Sequence, residues 1–231
     1  NFLLHPKIKS PKEVKIMLVK SRMSKYPLTI GPDESLSDAH HYMREQKVRH
    51  LPVVQSDEKM LGLIAEDDLL KAEPSSATSL SVWEIHHLLM EVKVKAVMVK
   101  DVVTTAEDTP IEEAAHLMLE HKIGCLPVMR DDKLVGIITE SDIFRTFMEL
   151  FAAREKGLRI TLEGPNKAGE LAKITKAVAD EGGYISACGT FNLEDTTKKG
   201  ITLKVRNVDR EILSDALAKI EGSTIIDIRK M

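Results

Sequence analysis

At 231 residues the chain exceeds what one small core needs, and its 43% hydrophobic and 30% charged residues exclude a disordered polymer. A net charge of −3, with no basic run carrying interleaved aromatics, excludes a general attraction for nucleic acid or anionic lipid. Charged residues interrupt every apolar run well short of the roughly 18 to 20 residues that span a bilayer, and Cys125 and Cys188 alone make neither a disulfide framework nor a CxxC metal site, so a soluble, cytoplasmic protein is expected.

Residues 1–16 read as an extension, with Met17-Leu18-Val19 as a natural start and no signal-peptide layout before it. An internal repeat follows. Met23, Lys25, Thr29, Asp33, Ala39, Met43, Glu45, Lys47, Leu51, Pro52 and Val53 recur 75 positions later as Met98, Lys100, Thr104, Asp108, Ala114, Met118, Glu120, Lys122, Leu126, Pro127 and Val128. One residue is then lost in a turn, after which Lys59, Gly62, Ile64, Glu66 and Asp68 reappear as Lys133, Gly136, Ile138, Glu140 and Asp142. The first repeat is placed at 17–73 and the second at 98–156. Between them, residues 74–97 form a linker, with a loop at Pro74-Ser75-Ser76 and a helix capped by Ser81 that carries Val82, Ile85, Leu88, Leu89 and Val92.

In the second repeat, Asp108-Thr109-Pro110 starts a helix with Ile111, Ala114, Ala115, Met118 and Leu119 on one face. Cys125-Leu126-Pro127-Val128-Met129 and Leu134-Val135-Gly136-Ile137-Ile138 read as adjacent strands joined at Asp131-Asp132. A further helix starts at Ser141 and ends near Arg154-Glu155-Lys156. Each unit is thus strand, helix, strand, strand, helix, too small to bury a good core alone, and two packed copies remove that difficulty.

The Leu-Pro-Val turns at 51–53 and 126–128, with Gly136-Ile137-Ile138-Thr139-Glu140-Ser141-Asp142, resemble the CBS (cystathionine beta-synthase) domain, and two copies resemble a CBS pair, or Bateman module. The resemblance implies that Thr139 and Asp142 contact the phosphate and ribose of an adenosine-type ligand, with the base near Val103, Thr104, Gly124, Cys125 and Pro127. AMP, ADP or ATP is the implied ligand, with S-adenosylmethionine or NAD as alternatives, and no cofactor is required. A helix start supplies NH donors to phosphate, and a carboxylate can accept both ribose hydroxyls. The same pair also fits a plain helix cap. In the first repeat Ala65 replaces the threonine while Asp68 remains, and Glu66, Asp67 and Asp68 oppose a phosphate, so Asp68 marks at most a weaker second site.

His40 aligns with Ala115 on an apolar face and reads as a core or cleft histidine, while His41, His86 and His87 lack partners at metal spacing. Cys125 reads as a small buried residue that can line the cleft. None has a catalytic partner, so no enzyme is expected; a nucleotide-using enzyme is the remote alternative.

From Gly157 a new unit begins. Leu158, Ile160 and Leu162 alternate as a strand, and a helix from about Gly169 carries Leu171, Ile174, Val178 and Ala179 before Gly182-Gly183. Strands at 184–192 and 200–205, a helix at 209–220 and a strand at 223–228 complete a ferredoxin-like βαββαβ order in an α+β protein. Residues 157–231 resemble an ACT domain, and the best match is Gly164-Pro165-Asn166-Lys167-Ala168-Gly169-Glu170-Leu171, with Asn166 and Ala168 where that family shows Asp and Pro. The resemblance implies an amino-acid site at Asn166, Ala168, Gly169 and Leu171; the other reading is a turn that only shapes the fold.

A CBS pair followed by an ACT domain is similar to the acetoin-utilisation B group of proteins. That implies a homodimeric sensor that changes conformation or assembly on binding an adenine nucleotide, and an amino acid as second ligand, to regulate an unknown target protein. A partner-binding scaffold with decayed sites is the alternative.

Overall fold

The computed structural model describes residues 17–55, 59–72 and 89–231, in two compact units, 1–143 and 144–231. The extension at 1–16, the loop at 74–76, the Ser81 cap with Val82, Ile85 and Leu88, and His86 and His87 lie outside the described residues.

The first unit holds both repeats. Helix α1 (Leu36–Gln46) starts where Ser35 and Asp38 form a capping box: the Asp38 amide donates to Ser35 Oγ at 3.1 Å and the Ser35 amide to Asp38 Oδ2 at 3.2 Å. The Ser35 hydroxyl also donates to that carboxylate, which holds Asp38 below the usual carboxylate range. Leu36, Ala39 and Met43 are its buried stripe. Strands β2 (His50–Val54) and β3 (Met60–Ala65) pair antiparallel, and α2 (Glu66–Ala72) follows.

In the second repeat, β4 (Thr105–Ala106) runs parallel to β5 (Cys125–Arg130), which pairs antiparallel with β6 (Lys133–Thr139). The β5–β6 turn has φ of 47° at Asp131 and 63° at Asp132, the left-handed pair of a type I′ hairpin that suits short acidic residues. Helix α4 (Ile111–His121) buries Ile111, Ala114 and Met118, but Leu119 is 77% exposed, against the expected face. At about 100° per residue Leu119 stands at the rim of the stripe, and Leu117, at the other rim, packs on the core instead.

The repeats are not closed by their own leading segments. The turn at Val19–Ser21 and strand β1 (Ser24–Lys25) belong to the second repeat: Val19 packs with Ile111, Leu126 and Ile138, and Ser24 pairs with Ile137 of β6. Conversely α3 (Val94–Val97) belongs to the first, where Val94 packs with Leu36, Leu51 and Ile64, and Val99 bridges to Leu63. The hydrogen bonds repeat with the sequence. Leu36 N donates to Val92 O at 3.0 Å and Ile111 N to Met17 O at 3.1 Å; Val94 N donates to Glu34 O and Val19 N to Thr109 O, both at 2.9 Å. Each repeat therefore completes its neighbour's core.

Helix α5 (Glu140–Leu150) stops earlier than expected. Ala152 takes a left-handed φ of 47°, Ala152 N donates to Glu149 O at 3.1 Å and Ala153 N to Met148 O at 2.8 Å, a Schellman closure that ends the helix before Arg154.

The second unit runs β7 (Leu158–Pro165), α6 (Glu170–Asp180), β8 (Tyr184–Asn192), β9 (Lys198–Arg206), α7 (Arg210–Ala218) and β10 (Thr224–Lys230), in one antiparallel sheet of order β10-β7-β9-β8. Alternation along β7 buries Leu158, Ile160 and Leu162 with Ile201, Leu203 and Val205 of β9, under Ile174, Val178, Leu213 and Leu217 of the helices. Helix α6 buries Glu170, Ile174 and Val178, spaced by four, so Leu171 and Ala179 fall about 100° away and are exposed rather than on the core face.

Candidate functional site

The site is built where β5 begins and β6 ends. Their register sets Cys125 opposite Thr139, and the Glu140 amide donates to Gly124 O at 3.0 Å, so the start of α5 is tied to the start of β5. Thr139 precedes α5, and Asp142, only 7% exposed, reaches back to it: Asp142 Oδ2 accepts the Thr139 amide at 3.0 Å and the Thr139 hydroxyl at 2.8 Å. This is half of a capping box, with the hydroxyl acting as donor rather than acceptor. The first repeat keeps the backbone half alone, Ala65 N donating to Asp68 Oδ2 at 3.0 Å.

Gly124, Cys125, Thr139 and Asp142 are thus brought together by one strand register. Pro127 is buried two residues further along β5, opposite Ile137. Val103 and Thr104 lie just before β4, on the other flank of β5; Val103 packs on the core and Thr104 is exposed. Burial, with Glu140 adding to it, pushes the Cys125 thiol up to about 12, so it stays protonated at neutral pH and is a wall rather than a nucleophile.

Three residues were missed by motif reading. Thr105 is buried with its hydroxyl unpaired among the described residues, beside the strand expected to flank the base. His50 and Glu140 converge on Gly124: a methyl placed there would meet His50 Cε1 at 3.6 Å and Glu140 Oε2 at 3.7 Å. The repeat itself held the signal, since His50 stands 75 positions before Cys125. Asp67 and Asp68 also act on His50, so charges from the starts of both α2 and α5 reach this histidine.

Burial lowers the His50 imidazole below its ordinary 6.5, helped by Arg49 and opposed by Asp67, Asp68 and Glu140. The folded chain resists a proton that the unfolded chain accepts, so the stability His50 contributes is present above about pH 6.5 and is lost as pH falls through the folded value. Wild type is therefore expected to lose melting temperature faster than His50→Gln between neutrality and pH 5; parallel curves would show that His50 titrates normally.

In the other unit, Asn166 Nδ2 donates to Thr196 O at 3.1 Å and Asn166 N to Thr197 O at 2.8 Å, which fixes the loop after β7. Ala168 and Gly169 are exposed, and Gly169, at φ 90°, precedes α6 with no side-chain cap. Leu171 points to solvent, and Glu170, like Gly164 at the head of the motif, is buried. Glu170 Oε1 takes Lys173 at 2.8 Å and Lys167 at 3.6 Å, which holds the carboxyl low. Its Oε2 is buried without a hydrogen bond among the described residues. Among those residues no group of three or more His, Cys, Asp or Glu side chains could hold a metal, and no helix is long and apolar enough to cross a membrane.

Two repeats that each complete the other's core define a tandem-repeat module, and residues 19–75 and 94–149 match the CBS domain model. The chain belongs to the CBS domain family. A solved Vibrio cholerae protein designated acetoin utilization protein AcuB is 35% identical, with a TM-score of 0.51 over 60% of this chain and 96% of that one. The CBS domain pair of protein MJ0100, solved with 5′-methylthioadenosine and S-adenosyl-L-methionine, is 30% identical over 61% of this chain and 99% of that one, with a TM-score of 0.48. Inosine-5′-monophosphate dehydrogenase of Methanocaldococcus jannaschii is 31% identical over 66% of this chain, which spans 29% of that enzyme's length.

Proposed function

We propose that the chain is a ligand-sensing regulator that binds one adenine-containing nucleotide at its second CBS repeat. The observation that carries this is the buried Thr139–Asp142 pair. A cap alone needs only the backbone bond that Asp68 makes to Ala65. The second repeat adds a hydroxyl that donates to the same carboxylate. A ribose diol donating to Asp142 would displace that hydroxyl and release it to donate to a phosphate at the start of α5. Gly124, Cys125, Pro127, Val103 and Thr104 would border the base, and AMP, ADP or ATP fits better than S-adenosylmethionine because Thr139 and the helix start favour a phosphate close to the ribose; NAD, which also carries that phosphate, is the other ligand of this kind.

In the same reading, residues 157–231 are a ferredoxin-like ACT domain that takes an amino acid at the loop through Asn166, Ala168, Gly169 and Leu171. The uncapped first turn of α6 and the unpaired Glu170 Oε2 support a ligand there. The chain acts as a homodimer in the cytoplasm, regulates a separate target and has no catalytic step of its own. The surviving cap at Asp68, without a hydroxyl, is what favours the other reading, a scaffold whose sites have decayed.

Thermal-shift titration of the intact chain separates the two. A nucleotide at about 100 times its dissociation constant should stabilise the fold by roughly 2.7 kcal/mol, a shift of several degrees. No shift with any adenine ligand, confirmed by calorimetry, would leave the scaffold.

A further inference from the structure

The face of the second unit's sheet opposite α6 and α7 carries a buried cation. The registers set Lys204 of β9 between Ala187 of β8 and Arg159 of β7, pointing away from the core side chains Leu203 and Val205. Lys204 is 4% exposed, yet no described residue offers it a hydrogen bond or ion pair. Lys204 is not among the residues with a fully buried atom left without a partner, so its ammonium keeps an outlet while its stem is covered, and a charge held in so covered a side chain normally has a partner.

A cavity of about 150 Å³ opens beside it, lined by Phe151, Arg159, Ala187, Thr202, Lys204 and Met231 among others. Phe151 lies over the sheet, where a methyl on Gly189 would meet its ring at 2.8 Å. The wall is mainly apolar, with its charge at one side. Arg159 donates to Thr161 Oγ1 at 3.1 Å and stands 3.6 Å from Asp227, whose carboxylate is gripped by Arg229 at 2.7 and 2.9 Å. Asp227 thus neutralises one of these cations, and the group around Lys204 keeps a positive surplus. The volume equals about five waters, room for a carboxylate on a chain of two or three further carbons. It lies at the far end of β7 from the Asn166 loop, apart from the amino-acid site proposed above.

We propose that this cavity binds a small aliphatic monocarboxylate, its head on Lys204 and Arg159 and its tail against Phe151, Ala187 and Met231. The charge is what selects the ligand: a neutral amide of the same shape leaves Lys204 unpaired and gains little.

The test follows the methionine methyl resonances of the ¹³C-methyl-labelled full chain during titration with butyrate, with butyramide as the neutral control. A saturable shift at Met231 with butyrate, absent with butyramide and weakened at least about tenfold in Lys204→Met, is the expected result. Lys204→Met should fold, since it replaces a buried charge with an apolar chain of similar length. Ala187→Leu, which fills the cavity and keeps the lysine, should also abolish the shift. Linear, unsaturable shifts, equal response to butyramide, or undiminished binding in both variants would overturn the proposal.

Discussion

Asp142→Ala is expected to weaken adenine-nucleotide binding by about 100-fold while the chain stays folded. Hydrogen bonds to a charged group contribute about 1.5 to 3 kcal/mol each, and losing two from a ribose diol, partly replaced by water, leaves a deficit near 2.7 kcal/mol. The same substitution removes the acceptor for the Thr139 amide and hydroxyl. That costs about 1 kcal/mol of fold stability, a few degrees of melting temperature. The two effects separate in calorimetry against melting. Asp142→Asn keeps an acceptor for the cap and loses the charge, so it should melt close to wild type and still bind poorly. Thr139→Ala recreates the first repeat, with the Ala65 arrangement, and should lose phosphate-dependent affinity, so that AMP falls toward adenosine. Unchanged AMP binding in Asp142→Ala would remove the ribose role and leave the carboxylate as a cap.

The second large effect is expected at a glycine. A methyl on Gly62 would lie 2.5 Å from Val99 O and 2.9 Å from Met98 Sδ, because the segment that crosses from the second repeat runs directly over β3. A methyl on its counterpart Gly136 would run into Met23 Sδ and lie 3.1 Å from both Met23 Cγ and Ser24 O. Gly62→Ala must therefore push a backbone carbonyl away and break the Leu63–Val99 bonds, which are 2.9 Å in both directions. Overpacking of this kind costs about 1 to 3 kcal/mol, or roughly 3 to 10 °C for a unit of this size. Gly136→Ala should cost less, since part of its clash is the flexible end of Met23. Equal melting temperatures for both variants would mean that the crossing segments are not held as tightly as these bonds indicate.

Much of the fold was legible because local rules agreed with the tertiary result. Leu158, Ile160 and Leu162 alternate and are buried together; Asp131-Asp132 suits a left-handed turn and makes one; Asp209 caps α7 by accepting the Glu211 amide at 2.8 Å. Errors came where a period was extended past its physical limit. Leu119 and Leu171 are apolar but sit at helix rims, and α5 ends at a left-handed alanine that no propensity marks.

In the candidate site, Thr139 and Asp142 could be picked out because a three-residue spacing across a strand-to-helix junction is a local matter. Glu140 and Thr105 could not, since their importance depends on what faces them from another strand or the other repeat, and His50 was marked only by its alignment with Cys125 in the repeat.

The amino-acid sequence alone determined the two repeats, their strands and helices, the placement of the carboxylate at the start of α5 and the loss of its hydroxyl partner in the first copy, because each depends on neighbours within a few residues. Only the tertiary structure decided that Val19 and Val94 complete the opposite repeat, that His50 meets Gly124 and Glu140, and that Lys204 is buried without a counter-charge. Those facts arise from contacts between residues far apart in the chain, where a strand's register, rather than a local period, chooses the neighbour.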